Sequence, residues 1–245
     1  MARAVKKTSR HLSESLVLAG VIWKALGFSS NDEMLRTLRT VEDGYDEEGR
    51  SYLFHALISR TGIDEDIRAH LEEYDENIRE HLQRVNKRRP DTLVLKYYQY
   101  LTALATEIYL DRYFRGPMEF LKFLNSYART LTKQTGISIL FTKTSAQNLL
   151  AYWMATGSGK TILMHLNYLQ FTHYNRGSHK IDLDNILLIT PNERLTTQHL
   201  SELDLSYIPA DLFQTRTGSQ MTFKSEGIQV IEITKLTTEK TGEGL

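Results

Sequence analysis

The chain has 245 residues, 41% of them hydrophobic, with 30 basic groups against 30 acidic ones and no cysteine. That is enough apolar material for one large domain or two modest ones, while disulfides and thiol catalysis are excluded and any polyanion-binding surface must be a local patch. The basic start MARAVKKTSR is not followed by an uninterrupted apolar run, and nothing reaches the roughly 18 apolar residues of a membrane span, so the expectation is a soluble, cytoplasmic chain with no membrane partner.

Residues 11–135 read as almost continuous helix, a bundle of five or six. Leu12, Leu16, Ala19, Ile22, Trp23 and Leu26 recur at three-to-four spacing, and Gly27 is placed to end that helix. Ser30-Asn31-Asp32-Glu33 has the form of a capping box and opens a helix that turns Met34, Leu35 and Leu38 inward. The acidic, glycine-punctuated segment from Glu42 to Gly49 reads as a solvated loop. A long charged helix from Ile63 to Asn86 follows, with Ile67, Leu71, Tyr74, Ile78 and Leu82 on one face. It runs into Arg84-Val85-Asn86-Lys87-Arg88-Arg89-Pro90, the densest basic run. That run either touches nucleic acid or simply places cations at a helix C-terminus. Between Thr92 and Phe114 the aromatics Tyr97, Tyr98, Tyr100, Tyr109 and Tyr113 either stack on bases or fill the core, and their helical spacing favours the core. Gly116-Pro117 breaks the chain before an amphipathic helix from Met118 to Leu131.

At Gly136 the pattern changes. Ile137 to Thr142 alternates like a strand, and Leu149 to Met154 reads as a buried one. Then comes Ala155-Thr156-Gly157-Ser158-Gly159-Lys160-Thr161, leading into a helix to Tyr174. A glycine-rich turn opening a helix makes an anion cradle, because backbone N–H groups converge there and the helix dipole adds partial positive charge. Gly157 and Gly159 allow positive φ and close backbone approach, Lys160 can neutralise β/γ-phosphates, and the Thr161 hydroxyl can ligate Mg²⁺. Gly-x-Gly-Lys-[Ser/Thr] arises by accident in such a chain with a probability of about 1%, so this is read as a nucleotide-phosphate loop. The distal glycine of the full pattern is absent, its place taken by Met154.

Asn185 to Thr190 reads as a buried strand stopped by Pro191, Leu195 to Leu203 as a helix, residues 204–226 as irregular, and Ile228 to Ile233 as a further strand. Strand–helix–strand alternation implies βαβ units and a parallel sheet. The segment Thr190 to His199 sits at the C-terminal end of its strand, the edge where open α/β sheets bind ligands. Arg194, Thr196, Thr197 and Gln198 offer hydrogen bonds suited to a phosphodiester backbone, although a proline-stopped strand with ordinary helix caps would read the same way. None of the eight histidines groups with acidic partners at metal-ligand spacing; His173 and His179 flank a loop.

Together, WMATGSGKT and ILLITPNERLTTQHL resemble motifs I and Ia of superfamily-two DEAD/DEAH-box helicases, and within them the Res-subunit group of type III restriction enzymes. Thr-Gly-x-Gly-Lys-Thr without the distal glycine is usual in that superfamily, which accounts for Met154. The segment Val230 to Leu236 is similar to the one before motif II, and the QYLTALATEIYLDRYF stretch more loosely to the helical N-terminal extension. The resemblance implies an α/β fold: a helical N-terminal bundle, 1–135, followed by an incomplete RecA-like parallel-sheet lobe, 136–245. It implies that Thr156, Gly157, Ser158, Gly159, Lys160 and Thr161 bind ATP, with Lys160 and Thr161 catalytic and Thr161 meeting Mg²⁺. Pro191, Asn192, Arg194 and Gln198 would lie along a nucleic-acid strand, DNA rather than RNA. A modification or other restriction subunit is the implied protein partner, and Gln147 is the candidate adenine reader.

No Asp-Glu-x-His follows the last strand, so the expectation is an N-terminal part of a helicase or translocase that holds nucleotide without turning it over. Two alternatives stay open. A P-loop phosphotransferase would lack the TPNERLTTQ segment, and a partner-recruiting module would keep only a vestigial nucleotide site.

Overall fold

The computed structural model describes residues 16–136, 138–142, 149–177, 181–213 and 227–237; Leu12, Ile137, Gln147 and His179 lie outside these. Six helices come first: α1 (Val17–Ala25), α2 (Asn31–Leu38), α3 (Tyr52–Ile58), α4 (Glu65–Asn86), α5 (Tyr97–Arg115) and α6 (Pro117–Thr135). After them come α7 (Lys160–Tyr174), β1 (Ile186–Thr190), α8 (Glu193–Leu205), β2 (Ala210–Leu212), β3 (Ile228–Glu232) and the short α9 (Ile233–Thr237). By spatial contact the chain divides into two compact units, Met1–Ile78 with Val94–Ser158, and Arg79–Leu93 with Gly159–Leu245.

The first unit is helical, and its core is the face that periodicity marks. Ile22, Leu26, Leu38, Leu57, Ile67, Leu71, Tyr74, Ile78, Leu104 and Ile108 are all buried. Gly27 ends α1 with φ +81, where a Cβ would stand 2.7 Å from the Thr61 carbonyl oxygen, so this turn admits only glycine. Ser30 Oγ accepts the Glu33 N–H at 3.1 Å, and the Glu33 carboxylate takes the Ser29 N–H at 2.8 Å. With the Ser29 hydroxyl, that N–H and the Arg60 guanidinium around it, the Glu33 carboxyl is pulled down to about 2.

Within this core lies a polar seam between α4 and α5. Asp75, fully buried, accepts from Tyr100 Oη at 2.5 Å and from the Ser51 N–H at 3.1 Å. Tyr74 Oη donates to Asp111 at 2.5 Å, and Arg115 reaches both Asp111 and Asp66. Arg112 pairs with Asp64 at 2.6 Å while its guanidinium lies 3.9 Å from the Phe123 ring centre. Each buried carboxylate thus has donors, which buried charge requires. The aromatics of α5 are in part core, as their spacing suggests: Tyr100, Tyr109 and Phe114 are buried, whereas Tyr97 and Tyr98 are half-buried.

Two expected strands are not strands. Residues 138–142 are held along α6 by side chains in place of a ladder. Asn125 Oδ1 accepts the Phe141 N–H at 2.9 Å, Asn125 Nδ2 donates to the Phe141 carbonyl at 3.0 Å, and the Ile139 N–H reaches Thr132 Oγ1 at 3.1 Å. The run from Leu149 to Met154 forms no strand and is far from buried, with Leu149 77% and Trp153 71% exposed. It lies along α5 instead, pinned where Tyr152 Oη meets Thr106 Oγ1 at 2.8 Å and where Gln99 Nε2 donates to the Ser158 carbonyl at 2.9 Å.

The second unit carries an all-parallel sheet in the order β1–β3–β2, with Ile186 opposite Ile228, Leu188 opposite Val230 and Ala210 opposite Ile228. Central β3 is the buried strand, through Ile228, Val230 and Ile231. Parallel pairing and the helix α8 between β1 and β2 make this an α/β arrangement, as the alternation implies. The short β2 falls inside the segment expected to be irregular. The basic run has a structural role here. Arg89 pairs with Glu202 at 2.9 Å and donates to Ser206 Oγ at 3.0 Å, Arg88 pairs with Asp204, and Lys87 lies 4.2 Å from the Tyr207 ring centre. These cations close the end of α8, which disfavours their use on nucleic acid.

Candidate functional site

The phosphate loop is built by two glycines in the left-handed region, Gly157 at φ +78 and Gly159 at φ +84. A side chain at Gly157 would meet nothing within 4 Å, so the requirement there is conformational rather than steric. Between them Ser158 closes a tight turn, its Oγ donating to the Ala155 carbonyl at 2.7 Å and its N–H reaching the same oxygen at 3.3 Å. Gly159 is the N-cap of α7 and brings no capping side chain, and the helix then runs for 15 residues. The first turn of such a helix directs backbone N–H groups outward with nothing from the cap to satisfy them, the local chemistry of an anion cradle. Lys160 follows at the helix start and is exposed, as are Thr156 and Gly157; Ser158, Gly159 and Thr161 are half-buried.

In the first unit a cavity of about 550 Å³ opens against this loop, walled by residues 153–158 on one side and by Trp23, Leu35, Tyr97, Tyr98 and Leu101 on the other. Gln99 joins the two walls, its Nε2 donating to Ser158 while its Oε1 accepts the Lys96 N–H at 2.8 Å. Burial against α5 pushes the Tyr152 hydroxyl up to about 12, so it stays a neutral hydrogen-bonding group at neutral pH. Sequence reasoning assigned the aromatic stretch to the core and missed this wall. The available signal was the adjacency of Tyr97 and Tyr98, since two large rings at successive helical positions do not both fit deep in one core, and both are half-buried in this wall.

The second group of expected residues lies at the C-terminal end of β1. Pro191, Asn192, Arg194 and Gln198 are all exposed, and Arg194 and Gln198 stand one turn apart at the start of α8. Asn192 also caps that helix, its Oδ1 accepting the Leu195 N–H at 3.0 Å. Thr196 is buried, with Oγ1 2.5 Å from Thr190 Oγ1 and donating to the Asn192 carbonyl at 3.1 Å, so it fastens α8 to the strand end and is withdrawn from any ligand. Thr197 Oγ1 donates to the Glu193 carbonyl at 3.2 Å.

A family model described as the type III restriction enzyme res subunit matches residues 67–243. The chain belongs to that family. Res-subunit proteins form an ATP-dependent, helicase-like family of nucleic-acid enzymes, and the match takes in the phosphate loop, β1, α8 and β3. No curated protein and no solved structure matches the chain. Among the described residues of this res-family chain, no three His, Asp or Glu side chains gather as a metal cluster, and no helix is long and apolar enough to cross a membrane.

Proposed function

We propose that this res-family chain holds ATP–Mg²⁺ on residues 156–161 and contacts nucleic acid through Pro191, Asn192, Arg194 and Gln198. The observation that carries the reading is the uncapped start of α7 behind two left-handed glycines, within a segment matched to the res family. The fit to a phosphate chain is direct: no Cβ narrows the turn at Gly157 or Gly159, and an exposed lysine stands at the helix start. Lys160 binds and neutralises phosphate oxygens, the amides of the first turn orient them, and the Thr161 hydroxyl stands ready as a cation ligand. Bound Mg²⁺ would add charge neutralisation at the phosphates.

The nucleic acid proposed is DNA, in restriction or defence, with a modification or other restriction subunit as protein partner in the cytoplasm. In this reading residues 1–135 act as a helical N-terminal domain and 136–245 as part of a RecA-like lobe.

Fluorescence anisotropy with duplex and single-stranded DNA and with RNA, across a salt series, tests the nucleic-acid half. Arg194 is the one cation among the four residues, and each phosphate neutralised contributes about −0.9 to the slope of log K against log salt on duplex. Arg194→Ala is expected to make that slope shallower by about one unit. An unchanged slope and affinity would remove this surface from the proposal, and tighter binding to RNA would overturn the choice of DNA.

A further inference from the structure

We infer that the free edge of β1 pairs antiparallel with β1 of a second copy of this chain, joining two three-stranded sheets into one continuous sheet. Hydrogen bonds on the far side of the sheet show which backbone groups are on offer. The Phe213 N–H donates to the Val230 carbonyl and the Ile228 N–H to the Pro209 carbonyl, each at 2.9 Å, so Ile228 and Val230 turn their backbone groups towards β2. Alternation along β3 then turns Gln229 and Ile231 towards β1. Gln229 stands opposite Leu187 and Ile231 opposite Ile189, and in a parallel ladder each bonds to the neighbours of its partner, here Ile186, Leu188 and Thr190. The N–H and C=O groups of Leu187 and Ile189 are left pointing outward, and among the described residues no strand lies beyond them. Their side chains are exposed as well, Leu187 by 45% and Ile189 by 50%, on the face opposite Thr190, which is buried against Thr196 of α8. Parallel sheets are normally covered on both faces, and an apolar edge strand with neither lysine nor proline in it is a template for pairing.

Symmetry and charge select a second copy as the occupant. Leu188 lies midway between the two outward residues, so a two-fold axis through it sets Leu187 of each copy opposite Ile189 of the other. Directly opposed outward residues of an antiparallel pair exchange both N–H···O=C bonds, so this register uses every free backbone group of Leu187 and Ile189 on both edges. It also lines up the four apolar side chains on one face as a continuous strip. Beyond the strands, the same register carries Asp182 of one copy to the end where Arg194 of the other stands. Both are exposed, and neither has an ion pair among the described residues. Glu193 falls opposite Leu183, so like charges are not opposed there. Zero net charge leaves no long-range repulsion between copies. Because Arg194 is also the cation proposed for nucleic acid, the dimer and the nucleic-acid complex compete for it.

Sedimentation velocity of the full chain across a concentration series tests this, and a monomer–dimer equilibrium is the expected result. Ile189→Lys puts a lysine on each edge, counted twice by symmetry, and should raise the dimer dissociation constant by about ten-fold or more. Asp182→Arg should weaken the dimer as well. Combining Asp182→Arg with Arg194→Asp should restore it, a rescue that a folding defect would not produce, and thermal melts confirm that each variant folds. A chain that stays monomeric throughout the series overturns the inference, even if some other strand can take the edge. A dimer that Ile189→Lys leaves intact, or that the charge swap fails to recover, overturns it too.

Discussion

At the scale of single residues, two glycines with nearly the same backbone angle carry different constraints. Gly157, with open space where a Cβ would be, should tolerate alanine at about 1–2 kcal/mol, the left-handed penalty alone. At Gly27 the Thr61 oxygen blocks that position, so Gly27→Ala adds a clash and is expected to cost roughly 2–5 kcal/mol; urea unfolding of the two variants gives the comparison. His165 supplies a pH dependence. It is fully buried, with Nδ1 2.7 Å from Ser206 Oγ, and burial, reinforced by Arg89, pushes its pKa down to about 4. Below its unfolded value of 6.5 the unfolded chain takes up a proton that the folded chain refuses. Its contribution is therefore complete above pH 6.5 and falls by about 1.4 kcal/mol per pH unit as pH drops towards 4. His165→Gln should flatten that part of the stability–pH curve, and an unchanged curve would show that the acid sensitivity lies elsewhere. Such assignments were only half legible in the sequence. Lys160 and the two loop glycines stand out by spacing, but nothing in TPNERLTTQ separates Thr196, buried against Thr190, from exposed Arg194 and Gln198.

Among the elements, the helices were the legible part, because a three-to-four spacing of apolar residues has few other uses. The strands were harder. Ile186–Thr190 and Ile228–Glu232 are strands because each has a parallel neighbour. Residues 138–142 and 149–154 have the same β-forming composition, but the first bond to Asn125 and Thr132 and the second is tied through Tyr152 to Thr106, partners no local pattern reveals. The seam between α4 and α5 yields a test of asymmetry in buried polar groups. Asp75→Ala leaves the Tyr100 hydroxyl and the Ser51 N–H without their acceptor in a closed core, and should cost about 3–5 kcal/mol. Tyr100→Phe removes one donor and should cost only about 1–2 kcal/mol. Equal losses would mean that Asp75 is not the hub of the seam. At α8, Asn192→Ala should remove about 1 kcal/mol of cap stability, whereas Asn192→Ser keeps the cap. That pair separates capping from any contact with nucleic acid, since serine restores the melt without restoring the longer amide.

For the molecule as a whole, zero net charge removes long-range steering, so affinity for a polyanion must come from local geometry. The densest basic run is committed to Glu202, Asp204 and Tyr207, which leaves the start of α8 as the site proposed for nucleic acid. The family match, which starts inside α4 and reaches residue 243, places the same weight on the segments that carry the loop and the sheet. The central claim is that the turn at residues 156–161 is a nucleotide-phosphate site, and titration of ATP–Mg²⁺ into the chain and into its Lys160→Ala variant tests it most directly. Loss of one charge-assisted contact of about 1.5–3 kcal/mol predicts affinity lower by roughly ten- to a hundred-fold in the variant, with its melting temperature unchanged. Equal affinity for the two proteins would contradict the account.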